Sequence, residues 1–133
     1  MTAQILAAAL IRSFEGLRLI PYRDSGGVWT VGYGHTGPDV RPGVAITQEQ
    51  ATEYLARDSE PLFELVKAEP MIAQAAYVSF GYNCGRHALE LVLQGKADML
   101  NFVHDRHGNV LDGLASRRAL EKALIDSVSP VSA

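Results

Sequence analysis

Apolar residues recur at every fourth position near the start of the chain, at Leu6, Leu10 and Phe14, with Ile5 and Ala9 flanking the same stripe. That spacing predicts an amphipathic helix from Thr2 to Phe14, and Gly16 stands where a left-handed C-cap ends it. From Leu17 to His35 the pattern changes. β-Branched and aromatic residues surround Asp24-Ser25-Gly26-Gly27, and Gly32 and Gly34 interrupt the last part, which predicts a short antiparallel hairpin followed by a tight glycine-rich return. Thr36 to Val44 carries Gly37, Pro38, Pro42 and Gly43 and reads as a loop. Thr47 with Gln50 three residues on forms a capping box that opens a long helix to about Lys67, with a bend at Pro61, and Pro70 starts the next. Helical patterns follow over Ala73 to Tyr82, Ala88 to Leu93, Lys96 to Val103 and Leu114 to Ile125, where Leu114, Leu120 and Leu124 supply the apolar positions. The tail from Ser127 to Ala133 reads as frayed. The fold class is therefore α+β: a mostly helical domain with a small antiparallel β-hairpin lobe near the N-terminus. It is expected to form one domain over residues 1–133, with the hairpin lobe at about 17–45 and the helical lobe at about 47–127.

Composition narrows the classes. A chain of 133 residues, 47% hydrophobic and 20% charged, is able to bury a core and fits neither a disordered tail nor a fibre. A single cysteine, Cys84, forms no internal disulfide. The net charge of −3 argues against wrapping nucleic acid, which wants a clustered basic face. The apolar run Ile5 to Ile11 has no basic residue before it and falls far short of the roughly 20 residues that span a bilayer, so it reads as a core-facing helix rather than a signal peptide or membrane anchor.

The candidate chemistry lies between Ser13 and His35. Glu15 falls at the expected C-terminus of the first helix, where the macrodipole is negative and Phe14 lends apolar cover. Both disfavour a charged carboxylate, which makes Glu15 the candidate proton donor. Asp24, beside the turn, is more solvated and ionises more readily. Two carboxyl groups in unlike environments meet the needs of glycosidic bond cleavage, one protonating the leaving oxygen and the other activating water. With a three-residue loop Ser25-Gly26-Gly27, Asp24 pairs with Val28 and Tyr22 with Thr30, and Asp24 and Thr30 share a face about 7–8 Å apart, room for a water between them. A two-residue loop puts Thr30 on the opposite face. Each residue also has an ordinary reading: Glu before Gly as a surface residue, Asp before Ser-Gly-Gly as a turn former, Thr as a strand former.

At these residues the sequence resembles glycoside hydrolase family 24, the phage lysozymes or endolysins, whose pattern is Glu, eight residues, Asp, five residues, Thr. Glu15, Asp24 and Thr30 meet that spacing inside Phe-Glu-Gly-Leu-Arg-Leu and Trp-Thr-Val-Gly-Tyr-Gly-His-Thr-Gly. The resemblance continues through Thr47-Gln48-Glu49-Gln50-Ala51, through Val78-Ser79-Phe80 with Asn83 and Gly85, and through Gly113-Leu114 with Arg117-Arg118 and Glu121. It departs after Gly85, where Arg86 to Leu93 looks like a shortened helix, and at His104 to Gly108. The resemblance implies a lysozyme-like fold and hydrolysis of the β-1,4 bond between N-acetylmuramic acid and N-acetylglucosamine in bacterial peptidoglycan. Glu15 is then the general acid, Asp24 and Thr30 position the attacking water, and the outcome is inversion. It also implies a monomer that needs no metal or cofactor, is made in the host bacterial cytoplasm, and acts on the periplasmic wall after a holin-like partner permeabilises the membrane.

The surrounding residues divide. Trp29 and Tyr33 are candidates for packing on sugar faces or for filling the small lobe, and Asn83 for touching substrate or capping a helix. His35 is expected to be a structural, hydrogen-bonding histidine near the site. Cys84 with His87 weakly suggests a thiol hydrolase, and His104 with His107 lacks further ligands to complete a metal site. Arg117-Arg118 is read as a solvated helix face. The rival functions are a lytic transglycosylase, which uses one Glu and no water-positioning Asp, and a non-catalytic peptidoglycan-binding phage protein.

Overall fold

The computed structural model describes residues 1–105 and 107–128. The first helix, α1 (Ala3–Glu15), starts where the Thr2 side chain accepts the Ile5 N–H at 3.1 Å. It stops at Gly16, whose φ of 69° is accessible to glycine and whose N–H returns to the Arg12 carbonyl. The ψ of 171° there is extended rather than left-handed helical, so the chain passes straight from helix into strand. The buried stripe differs from the expected one. Ala3, Ala7 and Ile11 face the core, Leu6, Leu10 and Phe14 flank it half-buried, and Ile5 is 57% exposed. Alanines allow α1 to approach its neighbour closely, so the small residues rather than the large ones define the contact face.

Three short strands follow, β1 (Arg18–Arg23), β2 (Trp29–Gly32) and β3 (His35–Thr36), paired antiparallel in that order. Tyr22 stands opposite Thr30 and Arg23 opposite Trp29. The Asp24 N–H donates to the Val28 carbonyl at 2.9 Å, so the loop is Ser25-Gly26-Gly27, the three-residue alternative. Between Arg18 and Tyr22 the register is irregular, and Pro21, which has no N–H to give to a ladder, lies inside that stretch.

The helical lobe comprises α2 (Gln48–Leu65), α3 (Met71–Cys84), α4 (Arg86–Leu93) and α5 (Asp112–Val128). Thr47 and Gln50 form the expected capping box, and Pro61 is accommodated inside α2. In the centre, α3 buries Ala73, Ala75, Ala76, Val78, Ser79, Phe80 and Gly81 and touches α1, α2, α4 and α5. That burial runs around the helix rather than along one stripe. A Cβ on Gly81 would meet Leu89 at 3.0 Å and Leu62 at 3.2 Å, so glycine there lets α2 and α4 close on α3. Two sequence expectations need correction. The segment Lys96 to Val103 holds only a 3-10 turn over Met99–Asn101, because the Asp98 side chain caps Leu100 and starts a tight turn instead of a helix. The tail expected to fray from Ser127 is helical through Val128, and residues 129–133 lie outside the described residues.

Candidate active site

Glu15 ends α1 with its side chain 21% exposed, and its Oε1 accepts from Arg117 Nη1 at 2.6 Å. The Arg117 guanidinium lies 4.8 Å from the Phe14 ring centre. Arg117 and Arg118 are buried rather than solvated, at 4% and 0% exposure. The four-residue spacing on α5 brings Glu121, also fully buried, against Arg117, with Nε to Oε2 at 3.3 Å. Arg117 Nη2 donates to the Ser79 carbonyl at 2.9 Å and to its hydroxyl at 3.2 Å, and that hydroxyl donates to Glu121 Oε2 at 2.6 Å. Every nitrogen of Arg117 is thus committed, and its direction toward Glu15 is fixed by Ser79 on α3 and by Glu121 one turn along its own helix. Arg118 lies 3.2 Å from Glu121 Oε1, donates to Asn83 Oδ1 and to Cys84 Sγ, and rests over the Phe80 ring. Burial pushes the Glu121 carboxyl above its ordinary value, while the Ser79 hydroxyl and the two guanidiniums pull against that. Burial likewise lowers Arg118.

The helix end and Phe14 are not alone at Glu15, because the Arg117 cation stands against the same carboxyl. The missed residues are Arg117, Glu121 and Ser79. The signal for them was an Arg–Glu pair at i, i+4 on a helix with a sparse apolar stripe: the buried face of α5 runs through 117, 118, 121 and 125.

On the hairpin, Asp24 is exposed, and its Oδ1 accepts from the N–H groups of Gly26 at 2.8 Å and Val28 at 2.9 Å. The turn's own backbone holds the carboxylate. Thr30 is 4% exposed, and its hydroxyl donates to the Val28 carbonyl at 2.9 Å. Because Tyr22 faces Thr30 across the ladder, Asp24, Tyr22 and Thr30 share one face. Trp29 pairs with Arg23 on the other face, where its ring lies 5.0 Å under the Arg23 guanidinium, which removes it from the face that carries Asp24. Tyr33 is also corrected as a sugar-packing candidate, since at 5% exposure its ring belongs to the core. Asn83 is exposed beside Glu15, and both line a cavity of about 540 Å³ together with Phe14, Leu114 and Arg117.

Among the described residues no hydrogen bond joins Glu15 to Asp24 or Thr30. The hairpin comes closest to Glu15 at Gly34, in the return after β2. Its φ is +83°, and a Cβ there would lie 3.2 Å from Glu15 Oε2, so a side chain would be strained and would press on the carboxylate.

His35 fastens the hairpin lobe to α2. Its Nδ1 lies 2.6 Å from Asp58 Oδ2 and its Nε2 lies 2.8 Å from Asp39 Oδ1, and the ring stacks on Tyr54 at 4.0 Å. Burial pulls the imidazole down, but the hydrogen bonds to Asp58 and Asp39 outweigh that and raise it above its ordinary value. The His35 bond, joined by Arg57, holds Asp39 below the ordinary carboxylate range. Tyr82 donates its hydroxyl to the Tyr33 carbonyl, and burial with Asp58 and Glu15 nearby keeps it a neutral phenol. Cys84 is raised by burial and its sulfur sits against Arg118 and Asn83, an environment that does not activate a thiol with His87.

A model of the phage lysozyme family matches residues 12–121, which span Glu15, Asp24, Thr30 and the Arg117–Glu121 frame. The chain belongs to that family. Among its relatives, an endolysin of Bacillus phage PZA is 36% identical over 138 residues, covering 91% of this chain and 54% of that protein. An endolysin of Acyrthosiphon pisum secondary endosymbiont phage 1 is 33% identical, covering 89% of this chain and 93% of the relative. The chain spans about half the length of the two Bacillus phage endolysins it matches, 54% and 50%. Two solved structures share the fold. The endolysin from Escherichia coli O157:H7 phage FAHEc1 superposes with a TM-score of 0.75 at 31% identity, covering 98% of this chain and 97% of that one. The muramidase domain of SpmX from Asticaccaulis excentricus gives 0.74 at 33%, covering 93% and 95%. The lysozyme-like α+β fold expected from the sequence is the fold observed.

Proposed function

We propose that the chain is a muramidase that hydrolyses the β-1,4 bond between N-acetylmuramic acid and N-acetylglucosamine in bacterial peptidoglycan. The observation that carries this reading is the pair of unlike carboxyl groups: Glu15, half-buried and clamped from the helical lobe beside an open cavity, and Asp24, solvated on the same hairpin face as Thr30. Glu15 gives its proton to the leaving glycosidic oxygen as the C1–O bond breaks. A water held by the Asp24 carboxylate and the Thr30 hydroxyl attacks C1 from the opposite side of the ring, forms the new C1–O bond and passes its proton to Asp24. Arg117 orients Glu15 through its Oε1. The product is a reducing end of inverted configuration.

A lytic transglycosylase needs no second carboxylate, so the shared face of Asp24 and Thr30 favours hydrolysis. A covalent glycosyl adduct on Asp24 would overturn inversion. The first test is the clearing of outer-membrane-permeabilised bacteria: wild type clears them, and Glu15→Gln, folded, does not. Equal clearing by both removes Glu15 from the mechanism, and clearing by neither removes the enzyme class.

Access to the wall is part of the same proposal. Among the described residues no helix is long and apolar enough to cross a membrane, and we place the protein in the host cytoplasm until a holin-like partner opens the membrane. Cells expressing it are then expected to lyse on chemical permeabilisation and not before.

A further inference from the structure

Exposed aliphatic side chains of the hairpin lobe gather along one border. β1 is the outer strand of the sheet, and the Ile46 N–H donates to the Leu19 carbonyl at 2.9 Å, which lays the segment before α2 against that strand's free edge. A turn closed by the Val44 N–H on the Arg41 carbonyl precedes this bond. Leu19, Ile20 and Val44 are thereby brought to the same edge, 39%, 66% and 54% exposed, with Arg18 and Arg41 beside them in the chain. Single exposed aliphatics are ordinary, but a group of them flanked by cations marks an interaction surface.

The chain as a whole carries a charge of −3, and this border runs against it. Residues 17–45 hold Arg18, Arg23 and Arg41 against Asp24 and Asp39, and Asp39 is occupied by His35 and Arg57. Among the described residues none of the three arginines is paired with a carboxylate; Arg18 lies over the Tyr22 ring at 4.2 Å instead. By contrast, α2 carries five acidic side chains against Arg57. An added β-strand finds no ladder on this edge, because Pro21 has no N–H and the Leu19 carbonyl is already taken. A second copy packed about a two-fold axis would set the same arginines against each other. A polyanion in water answers the arginines but gains nothing from Ile20 or Val44. A bilayer of anionic lipid answers both.

We propose that this border docks on an anionic lipid surface, which holds the chain against the cytoplasmic leaflet with the acidic α2 kept away from the headgroups. The docking goes beyond the muramidase reading and does not depend on it.

The test is co-sedimentation with phosphatidylglycerol vesicles and with phosphatidylcholine vesicles. Wild type, although acidic, is expected to bind the former and not the latter, with binding that falls as salt is added. Arg18→Gln with Arg41→Gln weakens binding about 25-fold, about fivefold for each arginine at the surface. Ile20→Ser with Val44→Ser weakens it about tenfold. Both pairs melt with the wild type because the four side chains are exposed. Lys67→Gln removes an exposed cation beyond the end of α2 and leaves binding unchanged. No binding to phosphatidylglycerol, equal binding to both vesicles, or a loss in Lys67→Gln matching that of the arginine pair overturns the proposal. Binding to soluble polyglycerol phosphate as tight as to vesicles, indifferent to the Ile20 and Val44 changes, overturns the lipid as the partner.

Discussion

Glu15 and Asp24 are held in opposite ways. Asp24 is fixed by N–H groups two and four residues further on, inside its own turn. Glu15 is fixed by Arg117, 102 residues away, which is itself pinned by Ser79 and Glu121 in a region with almost no water access. The hairpin carboxylate is therefore placed by local geometry and stays in solvent, whereas the helical one is placed by the packing of three helices. On the proposed mechanism, the proton donor is set by the rigid core and the carboxylate that must reach water is set by a turn.

The largest effect is expected where the buried frame is broken. Glu121→Ala leaves two buried guanidiniums without their shared acid and is expected to lower unfolding free energy by about 3–5 kcal/mol in denaturant titration. A loss under about 1 kcal/mol would mean that the frame contributes little and that the contrast with the turn is false. At the seam between the lobes, Gly34→Ala forces a side chain into positive φ against Glu15 and is expected to cost about 1–3 kcal/mol and to depress activity further than stability explains. Asp24→Asn is expected to change stability by less than about 1 kcal/mol, because the amide oxygen still accepts the two turn N–H groups, while hydrolysis is lost. Large unfolding in that variant would show that the turn, not the water, needs the charge.

The smallest effect concerns pH. His35 is raised in the folded state, so the stability it contributes is full below the unfolded histidine value and is lost as pH rises through the folded one. Asp39 is lowered, so its contribution is full above the unfolded carboxylate value and is lost as pH falls through the folded one, reduced by its partial exposure. Thermal melting against pH is expected to peak between those two ordinary values, and His35→Asn to flatten the alkaline side. An unchanged profile would remove the Asp39–His35–Asp58 clasp from the stability account.

What was legible in the sequence follows the same division. The capping box at Thr47, the Asp24 loop and the stop at Gly16 are local, and each is written in three or four adjacent residues. The spacing of Glu15, Asp24 and Thr30 was legible through a family resemblance. Arg117 and Arg118 were misread as a solvated face because two adjacent arginines satisfy that pattern, and only the tertiary meeting of α5 with Ser79 and Glu15 reveals that their charges are internally paired. Trp29 and Tyr33 stay open between a sugar face and the small lobe for a related reason: aromatic rings serve a core and a sugar equally well until strand register and burial decide. The α1 stripe was drawn through leucines, whereas alanines and Ile11 make the close contact.

The central claim is that two unlike carboxyl groups divide one hydrolysis between them. Mass and anomer analysis of the ends released from purified peptidoglycan tests it most directly. The account predicts reducing muramic acid ends of inverted configuration from wild type and none from folded Glu15→Gln or Asp24→Asn. Anhydro-muramic ends, or wild-type rates in either variant, would contradict it.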